Sequence, residues 1–253
     1  MKKLGYCIIF TLMLMVYACE SNLDMDKVRR IKSNSYIGAY YKPKTIEIKK
    51  FITEEDPSGL INICSHDWDY YYITTRESSS DGINFNYISE YYGDNGYDTT
   101  FTYIIPGDLN AFLADEIESI RISSTHSYNG IPAGSSLNGS FYLYAMSMYP
   151  FIKSGYSDKF PYSTEYAPEI FNLMLKYLYD YRNSYFGNPI YGPVDSIVPN
   201  QLKLIGGGKK LNNIMFLLQM KQIPSNPEGD LIISITFKGG KQLEARAPLS
   251  ELV

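Results

Sequence analysis

The stretch that most limits what this chain can fold into is its tail. Asp230 to Phe237 (DLIISITF) and Lys241 to Ala247 (KQLEARA) flank Lys238-Gly239-Gly240. Two strand-like runs on either side of a glycine turn predict a tight antiparallel hairpin. A lone hairpin is barely stable in water, so other strands must cover its apolar face. Candidates recur along the chain: Thr45 to Ile52 (TIEIKKFI), Leu60 to Thr75 (LINICSHDWDYYYITT), Ile83 to Tyr92 (INFNYISEYY), Thr99 to Ile105 (TTFTYII), Ser119 to Ser124, Phe141 to Met148, Gln201 to Ile205 and Ile214 to Met220. Turn signals at Glu77 to Gly82 (ESSSDG) and Gly93 to Gly96 (GDNG) separate the early ones, which predicts an antiparallel meander there.

Helical signals are fewer. Asp108 to Ile117 (DLNAFLADEI) predicts a short helical turn capped by Asp108. Within Pro161 to Arg182, Pro168 suits a first turn, and Ile170, Phe171, Met174, Tyr177, Leu178 and Tyr181 recur at helical spacing. Ser127 to Gly139 and the Gly/Pro-rich Gly187 to Pro199 read as loops, and Ile205 to Lys210 as a hairpin loop. The expected fold is mainly β, an antiparallel β-sandwich-like domain with one inserted α-helix at about 165–184.

The opening residues say where the chain goes. Lys2 and Lys3 precede an apolar run from Cys7 to Val16, too short to span a bilayer as a helix. The run closes on Val16-Tyr17-Ala18-Cys19, and this resembles the lipobox of bacterial lipoproteins. The resemblance implies cleavage before Cys19, diacylation of its thiol and acylation of the new amino group. Several acyl chains make a durable anchor where one does not. Glu20, Asp24 and Asp26 behind Cys19 resemble the surface-export signals of Bacteroidota lipoproteins, which implies attachment to the outer membrane, on its periplasmic or cell-surface face. The expected division is a signal peptide over 1–18, a tether over 19–30 and one β-rich domain over 31–253, with a candidate sub-boundary near 106.

Composition narrows the rest. Losing Lys2 and Lys3 with the signal takes the formal net charge from −4 to −6, and there is no basic run, so nucleic acid is not an expected partner. Of the three cysteines, Cys7 leaves with the signal and Cys19 carries lipid, so Cys64 has no intramolecular disulfide partner and the fold rests on its core. Tyrosine is in excess: 25 residues against 12 Phe and 1 Trp. Tyrosine suits half-buried strand surfaces, and also ring-lined surfaces for sugars or partner proteins.

Few constellations point to catalysis. Cys64 and His66 share a face of an extended strand, which permits a Cys–His pair, but a buried structural cysteine is the simpler reading. In SHDWDYYY, Asp67 and Asp69 take one face and His66, Trp68, Tyr70 and Tyr72 the other. Trp68, Tyr70 and Tyr72 are then either core or a flat platform for a sugar. Asp94, Asn95 and Asp98 offer oxygen ligands but lack the rest of a calcium loop. Gly134 to Ser136 is not a nucleophile elbow, and IGGGKK (Ile205 to Lys210) lacks P-loop spacing. No catalytic residue, metal or cofactor is expected.

Two further resemblances bear on function. Glu118 to Val253, on its YNGIPAG motif and strand order, is similar to Bacteroidota lipoprotein domains of unknown function, which implies a sandwich-like domain and no known activity. Asp98-Thr99-Thr100 and Asp195-Ser196-Ile197 resemble the O-glycosylation signal of exported Bacteroidota proteins, and this implies modification at Thr99 and Ser196. The expected role is non-enzymatic: a lipid-anchored binding or scaffold protein whose partners are the membrane and a glycan or an envelope protein. The alternatives are a surface glycan-binding or glycan-processing lipoprotein, or a pilus-type subunit that exchanges its terminal strand, Lys241 to Val253.

Overall fold

The computed structural model describes residues 29–32, 34–51, 59–72, 83–97, 102–105, 111–157, 188–206 and 214–253. Its strands are β1 (Arg29–Lys32), β2 (Ala39–Lys50), β3 (Leu60–Tyr72), β4 (Thr102–Ile105), β5 (Ala111–Leu113), β6 (Ile117–Ser124), β7 (Phe141–Ser147), β8 (Asn188–Pro193), β9 (Ile214–Met220), β10 (Asp230–Phe237) and β11 (Gln242–Pro248). The helices among the described residues are α1 (Phe85–Tyr92), α2 (Tyr149–Lys153) and α3 (Leu249–Leu252), with short 3-10 turns at Asn138–Ser140, Val194–Ser196 and Pro199–Leu202.

The strands form a six-stranded sheet, ordered β5-β2-β3-β9-β7-β8, and a three-stranded sheet, β11-β10-β6, with β1 and β4 as a separate pair. All pairings are antiparallel except β2 with β5. The two larger sheets share one core, so the fold is mainly β and sandwich-like, as the sequence predicts. Ile46, Ile48, Ile61, Ile63, Leu143, Phe216 and Leu218 come from one layer, and Ile120, Ile122, Leu231, Ile233, Ile235 and Phe237 from the other. The terminal hairpin forms as predicted. β10 alternates strictly, with Leu231, Ile233, Ile235 and Phe237 buried. A second cluster, including Ile37, Tyr40, Phe85, Ile88, Tyr92, Phe151 and Ile152, packs α1 and α2 against the start of β2.

The free edge of β6 is closed by the loop that follows it. Gly134 and Leu137 donate their N–H groups to the carbonyls of Ser124 and Ile122 at 2.8 and 2.7 Å. The Asn138 amide accepts from Ile122 N and donates to Ile120 O, both at 2.8 Å. A loop residue thus replaces a neighbouring strand, and the edge offers no ladder to another chain.

Several expectations are corrected. Ile83 to Tyr92 is not a strand. Phe85, Ile88, Ser89 and Tyr92 are buried on one face of α1, the Asn84 side chain caps its first turn at Tyr87 N, and Gly93 ends it at φ 76°. The segment alternates and also has helical spacing, and burial against β2 selects the helix. The expected meander is therefore replaced: β2 and β3 form a hairpin, while β4 pairs with β1. The helical turn over Asp108 to Ile117 is also not found in its described part. Ala111–Leu113 is β5, which lies parallel to Ala39–Tyr41, and Ile117 opens β6. Gly187 to Pro199 is not all loop, since β8 pairs with β7 from Asn188 to Pro193. Gln201 to Ile205 is not a strand. Pro199 starts a 3-10 turn instead, and Leu204 adopts φ 48°, which a strand forbids.

The helix expected at about 165–184, the signal peptide and the turn at Glu77 to Gly82 lie outside the described residues. β1 starts at Arg29, so the last two residues of the expected tether belong to a strand.

Candidate functional site

One end of the three-stranded sheet, where β6 ends and β10 begins, carries a polar cleft. Its first wall is the YNGI turn. Tyr128 and Ile131 exchange both backbone hydrogen bonds at 2.9 Å, and between them Asn129 and Gly130 sit at φ 48° and 84°. Two successive left-handed residues make the tight turn that Asn-Gly favours. Tyr128 is buried beneath it, with its ring 5.8 Å from that of Phe141 and its hydroxyl donating to Gln222 O at 2.9 Å. The Asn129 amide donates to the same carbonyl at 3.2 Å.

The second wall is the loop from Gln222 to Gly229, stiffened by Pro224 and Pro227. Thr125 holds the two walls together: its N–H donates to Asp230 O at 3.0 Å, and its hydroxyl accepts from Asp230 N at 2.8 Å. His126 lies against the Gly229 backbone, leaving no room for a β-carbon there, and its Nδ1 is 3.3 Å from the Thr125 hydroxyl.

The resulting cleft has a volume of about 310 Å³ and is lined by His126, Ser127, Asn129, Ser225, Asn226 and Glu228 among others. That is the lower end of the range for small-molecule sites. Six polar side chains converge, and two primary amides, two hydroxyls, an imidazole and a carboxylate supply donors and acceptors from both walls. Such a lining suits a ligand that is itself rich in hydroxyl groups. A carboxylate accepts from two hydroxyls at once, and each amide both donates and accepts.

The residues singled out by sequence are not gathered there. Trp68 pairs with Pro43 in the β2–β3 ladder and packs, partly buried, against the main core. Asp67 and Asp69 are exposed on the opposite face, and Asp69 pairs with Lys44 at 2.8 Å. Tyr70 and Tyr72 lie on the same strand opposite Tyr41 and Ala39, and their side chains and that of His66 lie outside the description. Cys64 is buried, and burial pushes its thiol up to about 11, so it stays protonated at neutral pH.

Asp94 is fully buried. It accepts from Tyr36 N and Ile37 N at 2.7 and 2.9 Å, and from the hydroxyls of Tyr40 and Tyr156 at 3.1 and 3.0 Å. Those four donors satisfy its oxygens. Ser196 is exposed in a 3-10 turn, where its hydroxyl donates to Pro193 O at 2.7 Å. Cys19, Asp98 and Thr99 lie outside the described residues.

The cleft was missed by sequence reasoning because its walls lie almost a hundred residues apart. The available signals were YNG and the two prolines around Ser225-Asn226. Comparison with family models, curated proteins and solved structures finds no match to the chain.

Proposed function

We propose that the chain is a lipid-anchored cell-envelope protein with a non-enzymatic binding role, held at the outer membrane through Cys19, and that its ligand is a hydroxyl-rich molecule such as a glycan. The observation that carries the ligand class is the predominance of polar residues, Ser127, Asn129, Ser225, Asn226 and Glu228 among them, in the lining of one cleft. The anchor rests on the lipobox-like residues Val16 to Cys19. A strand-exchange role is less favoured, because the terminal residues serve their own core. Leu249 and Leu252 are buried, and the Lys50 ammonium donates to Val253 O at 2.8 Å.

The cleft is tested by titrating the full mature chain against a panel of neutral oligosaccharides. At least one should bind. Glu228→Ala should weaken it roughly ten- to hundredfold, because a hydrogen bond to a charged group contributes about 1.5–3 kcal/mol and 1.4 kcal/mol is tenfold. Asn226→Ala, which removes neutral hydrogen bonds of about 0.5–1.5 kcal/mol, should weaken it about two- to tenfold. Binding that survives both substitutions would remove the cleft from the account.

The anchor is tested separately. Cys19→Ser should abolish palmitate labelling and release the chain from the membrane fraction or leave it uncleaved. Unchanged labelling and retention would end the lipoprotein reading.

A further inference from the structure

The opposite end of the same sheet carries a second surface of different chemistry. There the chain crosses from β5 to β6 through Asp115 and Glu116, beside the β10–β11 turn. Asp115 lies 3.7 Å from the Lys42 ammonium and 3.6 Å from that of Lys241. Glu116 lies 3.5 Å from Lys203 and 3.6 Å from Lys238. Four ammonium groups thus surround two carboxylates, leaving two positive charges in excess on a chain that is negative overall. Burial raises the Glu116 carboxyl, but the Tyr91 hydroxyl and the lysines outweigh it and hold the group below its ordinary value, so it is ionised at neutral pH.

Helix α1 adds rings to this charge. Tyr87 and Tyr91, four residues apart and so on one helical face, are 56% and 50% exposed. The Tyr91 hydroxyl donates to Glu116 at 2.6 Å and accepts from Lys238 at 3.0 Å, while the Lys238 ammonium lies 5.6 Å from the Tyr91 ring centroid. The ring is therefore held in place by its hydroxyl, which sits beside an exposed ammonium.

We infer that this tyrosine–lysine face binds an acidic polysaccharide, with sugar C–H faces stacked on Tyr87 and Tyr91 and carboxylates or sulfates on Lys238 and Lys241. Rings alone select no charge, and lysines alone select no sugar. Together they fit a ligand that alternates an apolar ring face with an anionic group. The surface lies roughly 25 Å from the polar cleft, the length of an eight-residue strand, and does not depend on that cleft being a binding site.

The test titrates the full mature chain with polygalacturonate, with the same polymer fully methyl-esterified, with polyglutamate and with phosphatidylglycerol vesicles. Polygalacturonate should bind with an affinity that falls as salt rises, and its ester at least tenfold more weakly. Lys238→Gln combined with Lys241→Gln should cost at least tenfold. Tyr87→Ser removes a ring whose hydroxyl has no hydrogen-bond partner among the described residues; it should cost several-fold with an unchanged salt slope, and Asn226→Ala in the cleft should cost nothing. The inference is overturned by absent binding at low salt, by equal binding of the ester, by polyglutamate or vesicles binding as well as polygalacturonate, or by full affinity in the Tyr87 variant or the double lysine variant.

Discussion

Replacing Asp94 with alanine should lower the unfolding free energy by about 3–5 kcal/mol, because each buried donor left without an acceptor costs about 1–3 kcal/mol. The carboxylate accepts from the backbone at Tyr36 and Ile37 and from the hydroxyls of Tyr40 and Tyr156, so one side chain ties the loop after α1 to the entry of β2 and the end of α2. Around it, Tyr36, Tyr97, Phe151 and Tyr156 meet edge to face at centroid distances of 4.8 to 5.6 Å, packing that depends on the loop staying in place. Asp94→Asn keeps the shape but turns one acceptor into a donor, and should cost about 1–3 kcal/mol.

The charge on Asp94 adds a dependence on pH. Burial pushes its carboxyl above the ordinary range, and the four donors only partly offset this. A carboxyl whose pKa is higher in the folded than in the unfolded state makes stability fall as pH rises from the ordinary carboxylate range through the raised folded value, and level off above it. Urea unfolding from pH 4 to 7 should show this slope in the native chain and lose its Asp94 share in Asp94→Asn. Equal slopes in the two proteins would show that Asp94 does not titrate in this window.

Gly229→Ala is expected to destabilise the fold by about 2–3 kcal/mol and to weaken any ligand of the polar cleft at least tenfold. Gly229 sits at φ 73°, where a β-carbon costs about 1–2 kcal/mol. The added carbon would also collide with the His126 ring and come within 2.6 Å of the Thr125 hydroxyl. Thr125 must then give up its bond to Asp230 N, which joins the two walls of the cleft. In a His126→Ala background the same substitution should cost less, since only the Thr125 and backbone contributions remain. Thermal unfolding of the two single variants and the double variant measures the coupling. A Gly229→Ala chain as stable as the parent would show that the walls adjust freely.

The terminal hairpin was fully legible in the sequence. Its alternation and its glycine turn are properties of neighbouring residues, and no distant contact is needed to choose between conformations. Phe141–Ser147 and Ile214–Met220 are legible for a related reason: their apolar, strand-favouring runs offer no competing pattern. Phe85–Tyr92 was not legible. Its residues satisfy a period of two and a period of 3.6 alike, and the decision came from Phe85, Ile88 and Tyr92 burying together against Tyr40 and Ala114.

Ala111–Leu113 and Asn188–Pro193 became strands because an open sheet edge lay beside them, and nothing within those short segments announces that edge. The candidate sites follow the same division. The proposed lipobox, Val16 to Cys19, rests on sequence alone, because a processing signal of that kind is a local chemical pattern. The polar cleft joins His126 to Asn226, the tyrosine–lysine face joins Tyr91 to Lys238, and Asp94 gathers donors from both directions along the chain. Sequence determined the terminal hairpin and the strands whose apolar runs offer one pattern only, and it carries the expectation of where the chain is anchored. Tertiary structure decided which polar groups meet, because a buried or converging group takes its partner from whatever the packed sheets bring within about 3 Å.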